Sequence, residues 1–171
     1  LAVSLKIVLF VFFAANFIQN WPADRIINHI FIISGDTEGY YGPIENFVHG
    51  YGYTTICRMP GLLPVYAPLF FLLGSTWGKA FVIVLQVLAG SLSVYMVAEI
   101  SGKLFNNYKA FLLAFWIYAL SEFVSIWDHM GLSDSFGTSF LIFSVYYSLK
   151  YSSTHLHKHL LMAGFFIGWS C

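Results

Sequence analysis

The sequence predicts an all-α fold: a polytopic transmembrane helix bundle with amphipathic interfacial helices in its first outward loop. Three observations predict it. Hydrophobic residues make up 58% of the 171 residues and charged residues 9%, whereas a soluble domain carries about a quarter charged. With a mean hydropathy of +0.73, the chain lacks the polar groups to cover a water-facing surface. Apolar runs long enough to cross a hydrocarbon core of about 30 Å alternate with polar connections. Five lysines flanking those runs fall on one side when the runs are folded back and forth. The 8 basic and 8 acidic residues cancel, so no basic field exists to attract nucleic acid.

The first predicted span is about 5–21. Trp21 is an interfacial anchor type and Pro22 ends the helix. The run continues into Gln19-Asn20 without a small-residue cleavage site, so it reads as a retained helix. Residues 22–76 form the predicted first outward loop, with Asp24, Arg25, Asp36, Glu38, Glu45 and Arg58. Within it, Asp36 suits a helix cap and Pro43 a first helical turn. Tyr40, Ile44, Phe47 and Val48 share one face, and Gly50 is a natural stop. This pattern describes an amphipathic helix lying on the membrane surface. The apolar run 60–73 gives only about 21 Å of helix and contains Pro64 and Pro68, so it reads as an interfacial or re-entrant helix. Further spans are predicted at about 77–100, 108–126 and 132–149. A truncated one at 159–171 makes the chain read as a single membrane domain, the N-terminal part of a larger protein.

Topology follows from charge. If 60–73 does not cross, Lys6, Lys103, Lys109, Lys150 and Lys158 all face the cytoplasm. If it does cross, Lys103 and Lys109 land opposite Lys6. The length argument and the charge argument therefore agree, and residues 22–76 and about 127–131 face outward.

Few residues in this chain can carry chemistry. Asp36 either caps its helix or acts as a base. Arg58 either snorkels to headgroups or holds a phosphate with its fork of donors. Asp134, at the outer end of a span, must face water or a cavity, because a carboxylate in lipid is costly. Glu122 is placed to face the same cavity, and Glu99 the opposite headgroups. Asp128 and His129 read as solvated turn residues. Cys57 and Cys171 lack metal or redox spacing, and the run His155, His157 and His159 either binds a metal or is a polar loop between two apolar segments.

Gly35-Asp36 followed by Tyr40, a surface helix ending in Gly50-Tyr51-Gly52-Tyr53, Arg58-Met59-Pro60-Gly61, and a short apolar helix ending in Leu73-Gly74 form an ordered set. Leu85-Gln86 in the next span and Leu132-Ser133-Asp134 extend it. The set resembles the polyprenyl-phosphate-sugar glycosyltransferases of the GT-C fold, which include protein O-mannosyltransferase-like and aminoarabinose-transferase-like bacterial enzymes. The resemblance covers nearly the whole chain, as roughly the N-terminal third of a member. It departs where many relatives show Pro-Pro after the loop cation and Pro at the position of Glu122.

The resemblance implies a membrane glycosyltransferase, inactive as this piece alone. It would move a sugar from a polyprenyl-phosphate-linked donor to a lipid, glycan or protein acceptor on the outer side of a bacterial inner membrane. Asp36 matches the position of the catalytic carboxylate, with Glu38 as fallback. Arg58 would meet the donor phosphate. Asp134 would be a second carboxylate of the outer cavity, or a ligand of a divalent cation, the one cofactor implied for some relatives. The residues alone leave two other readings open: a transporter or channel piece, which would place carboxylates mid-span, and an inactive scaffold of the same fold.

Overall fold

The computed structural model describes residues 1–18, 35–53, 63–121, 124, 128 and 133–170. These residues are helical apart from turns. In chain order the helices are α1 (Ala2–Ile18), α2 (Gly35–Val48), α3 (Leu63–Leu104), α4 (Tyr108–Ala119), α5 (Ser133–Thr154) and α6 (His157–Ser170). The predicted all-α class holds among the described residues, and no strand interrupts them.

α2 spans more than the sequence pattern implied. It begins at Gly35, so Pro43 lies inside the helix and not in its first turn. Its end matches the expectation. Gly50 adopts φ 84°, its N–H bonds the carbonyl of Phe47, and the Tyr51 N–H bonds that of Asn46. This is the paired closure that a left-handed glycine after a helix permits.

α3 is two arms, Leu63–Ser75 and Trp77–Leu104, broken at Gly74, where φ is 75° and ψ 169°. A side chain is strained in that backbone conformation. The short arm folds back on the long one: a Cβ added at Gly78 would lie 3.1 Å from the Cα of Phe70. In a continuous helix, residues eight apart are separated by about 12 Å along the axis. The run predicted at 60–73 therefore does not extend the following span, as its length and prolines implied.

Among the described residues, Trp77–Leu104 is the one helix long and apolar enough to cross a membrane by length and composition. α4 is shorter than the predicted 108–126 span. Asn107 caps its start by accepting from the Lys109 N–H at 2.8 Å, and the helix closes at Leu120. Twelve residues give about 18 Å, well short of the hydrocarbon core. α5 is long enough to cross, but Ser133, Asp134, Ser135, Thr138 and Ser139 crowd its first turns.

α3 is the centre, with α1, α2, α4 and α5 packed on it and α6 paired with α5. Glycine sets the close approaches: a Cβ at Gly102 would lie 3.1 Å from that of Phe111 on α4. Ser144 donates to the Ala163 carbonyl at 3.0 Å between α5 and α6. The polarity is inverted relative to a soluble protein. Lys6, Gln86, Ser91, Ser93, Asp128, Ser135 and Ser139 are buried, while Leu113, Ile117, Leu161, Phe165 and many other large apolar side chains are exposed. An apolar exterior around a core that admits polar groups suits a solvent of lipid.

Two ends can be distinguished. At the Trp77 end, Lys79 pairs with Glu45 of α2 at 2.9 Å. At the other end, Tyr146 donates to Glu99 at 2.9 Å, Glu99 pairs with Lys103 at 2.7 Å, and Lys103 and Lys150 both lie over the Tyr146 ring, at 5.7 and 5.4 Å. Lys103 and Lys150 thus share an end, in line with the charge reading. Lys6 does not join them, because it is fully buried.

Candidate functional site

The site begins with a carboxylate that the sequence left in a solvated turn. Asp128 is 2% exposed. Lys6 Nζ of α1 donates to its Oδ2, and Ser135 Oγ of α5 donates to its Oδ1 at 2.7 Å. From the long arm it meets Gly90, where any Cβ would collide with the carboxylate. Gly90 is near the middle of Trp77–Leu104, about 20 Å from either end. The sequence reading of Asp128 as a free turn residue is therefore corrected: a lysine, a serine and the absence of a side chain combine to hold it in the interior.

Beside it lies a cavity of about 280 Å³ lined by Tyr118, Val124, Asp128, Asp134, Ser135, Thr138 and Ser139. Ser135, Thr138 and Ser139 follow the i, i+3, i+4 spacing that puts hydroxyls on one helix face. Asp134 is exposed in this cavity, as a carboxylate at that position must be. The cavity has no lysine or arginine among its described lining residues, which offer acceptors and hydroxyls. It also does not assemble a metal site: Asp128 already engages Lys6 and Ser135, and among the described residues no group of three or more His, Cys, Asp or Glu could hold a metal ion.

A second constellation lies between α2 and the short arm of α3. Tyr41 and Tyr66 are buried with ring centroids 5.7 Å apart, and among the described residues neither hydroxyl has a hydrogen-bond partner. Burial pushes both phenols well up, so both stay protonated. Next to them Glu45 accepts from Ser75 and Lys79, and Lys79 lies 5.5 Å from the Tyr41 ring centroid. Burial alone would raise the Glu45 carboxyl, but the hydrogen bonds from Lys79 and Ser75 and the lysine charge outweigh it and hold it below 4.5. An open apolar groove of about 480 Å³, lined by Phe47, Val48, Leu63, Pro64, Ala67, Pro68 and Phe71, runs along the same pair of helices.

The family model for dolichyl-phosphate-mannose-protein mannosyltransferases matches residues 59–171, more than half of the chain. The chain belongs to this family. The family is one of membrane glycosyltransferases of the GT-C type, which bears out the resemblance read from the chain's motifs. No curated protein matches the chain, and no solved structure does.

The family match includes Asp128, Asp134 and the cavity, and begins just after Arg58. Asp36 and Glu38 have their backbone in the first turns of α2, and their side chains lie outside the described part of the structure. Arg58, Glu122, His129, Cys57 and Cys171 lie outside the described residues altogether. Of the catalytic and donor-binding candidates read from the sequence, Asp134 is thus the one whose side chain is described, and it lines the cavity. Lys6, Asp128 and Gly90 were missed. The signal available for them was a lysine inside an apolar run, since an ionisable residue there needs a partner. His159 also departs from the polar-loop reading, because it is buried and stacks on Tyr147 at 6.0 Å.

Proposed function

We propose that the full protein is a multi-pass enzyme that moves a sugar from a polyprenyl-phosphate carrier to a lipid, glycan or protein acceptor on the outer side of the cell membrane. The observation that carries this reading is the cavity at Asp134. Its lining carries the hydroxyls of Ser135, Thr138, Ser139 and Tyr118 and the carboxylates of Asp128 and Asp134, and it is set within an apolar bundle of a glycosyltransferase family member. Such a lining complements the hydroxyls of a sugar ring. The apolar groove beside Phe47 and Phe71 suits the isoprenoid chain of a carrier.

In this reading the acceptor oxygen bonds to the anomeric carbon as the bond from that carbon to the carrier phosphate breaks. Asp36 takes the acceptor proton, with Glu38 as the alternative base. The phosphate leaves with the electron pair, and Arg58 balances its charge. Asp134 faces the sugar from the second wall. A carboxylate near the middle of a span is also what a transporter would contain. Here, however, that carboxylate is Asp128, which Lys6 already neutralises, and the residues around it belong to the matched family region.

The test is Asp36→Asn in the full-length protein, which keeps the side-chain shape and removes the base. Transfer of labelled mannose from polyprenyl-phosphate-mannose in native membranes should fall about 100- to 10,000-fold. Near-normal turnover in a folded variant would remove Asp36 as the base and leave it a helix cap.

A further inference from the structure

We propose that Lys6 is a positioning residue for Asp134, acting through Asp128 and Ser135. The proposal rests on the transferase reading only in giving Asp134 a substrate to face; the positioning itself is a matter of geometry. Three features converge on Asp128 from three different helices. Lys6 of α1 binds one carboxylate oxygen and Ser135 of α5 binds the other. Gly90 of α3 removes the side chain that would otherwise occupy the carboxylate's place. Ser135 directly follows Asp134, so the group that grips Asp128 also sets where the start of α5 stands in the cavity wall.

Charge explains why a lysine is needed. Asp128 and Asp134 line the same small cavity. Asp128 is buried and the Lys6 ammonium on its Oδ2 supplies counter-charge, whereas Asp134 is exposed in that cavity. Among the described residues, Tyr118 of α4 is the other titratable group on that wall, and α3 presents Gly90 there. With Lys6 gone, the buried Asp128 loses the ammonium on its Oδ2. The stable responses are to take up a proton or to swing toward water, and either one loosens the grip on Ser135.

The experiment compares Lys6→Met, Asp128→Asn and the double variant in the full-length protein. A first arm needs no substrate. Asp134→Cys is introduced in a background lacking other cysteines, and its labelling rate with a soluble maleimide is measured. Lys6→Met should change that rate at least fivefold. Lys6→Met/Asp128→Asn, in which both charges are gone and Ser135 keeps an acceptor, should return it to within twofold. A second arm, with Asp134 intact, measures transfer from polyprenyl-phosphate-mannose. Lys6→Met should lower kcat at least tenfold with little change in KM for the donor, and the double variant should recover most of that loss.

An unchanged labelling rate in folded Lys6→Met overturns the proposal, as does a double variant that labels like the single. A rescued labelling rate with no mannose transfer by the parent protein would keep the positioning role and refute mannose as the sugar. If Lys6→Met does not fold, Asp128→Asn provides the same comparison, since it too unbalances the pair and is corrected by the double change.

Discussion

Three lysine–carboxylate pairs among the described residues differ in what surrounds them. Lys6 and Asp128, 122 residues apart in sequence, meet in the interior with side chains 0% and 3% exposed. Lys79 and Glu45 join α2 to the start of the long arm, 25% and 30% exposed. Lys103 and Glu99 stand one helical turn apart at the far end, 51% and 23% exposed. The partners are chemically alike, so the contrast isolates environment. In water an ion pair gains little, because each charge is already solvated. In the interior each partner replaces the other's lost hydration, and removing one strands the other. The same bond can thus be a minor surface contact or a condition for folding.

The steepest effect is expected at the interior pair. Asp128→Ala should destabilise the protein by about 3–5 kcal/mol in detergent denaturation, because it leaves an ammonium buried without its counter-charge. A loss below about 1 kcal/mol would mean that water reaches Lys6, and the contrast between interior and surface would collapse. The middle pair should respond to acid. The Glu45 carboxyl is held below its ordinary 4.5, so its contribution is complete above that pH and is lost as pH falls through the depressed value. Accessibility of α2 to proteolysis should therefore rise below about pH 4.5 in the parent protein. Glu45→Gln should weaken docking by about 1 kcal/mol and flatten that acid response. The smallest effect belongs to Lys103→Met, expected at about 0.5 kcal/mol or less and diminished further by salt. A larger loss would show that the Glu99 and Tyr146 contacts act as a network with Lys150.

How much of this was legible depended on how local the cause was. The end of α2 could be read from Gly50, because a left-handed closure is decided within five residues. The break before the long span could be read from the length of 60–73 and its prolines, and Gly74 supplies it. The extent of α2 was misjudged because Pro43 suggested a helix start, whereas the structure carries the helix through it from Gly35. The 108–126 span was misjudged because uninterrupted apolar composition says nothing about where a helix stops, and α4 ends at Ala119. Asp134 was found because a carboxylate at a span end has few tolerable surroundings. Lys6 was counted as a flanking charge because its sequence neighbours gave no sign of Asp128.

The sequence by itself determined that this chain is built of helices for a lipid solvent, and its ordered short motifs pointed to the sugar-transferring family that it belongs to. The first follows from composition and periodicity, and the second from a resemblance carried by short motifs in order. Only the tertiary structure decided that Lys6 lies inside, that Asp128 is held by α1 and α5 against Gly90, and that a hydroxyl-lined cavity opens beside Asp134. Those depend on which helices come within a few ångströms of each other. An ion pair spanning most of the chain leaves no periodic trace in the segments that supply its two halves.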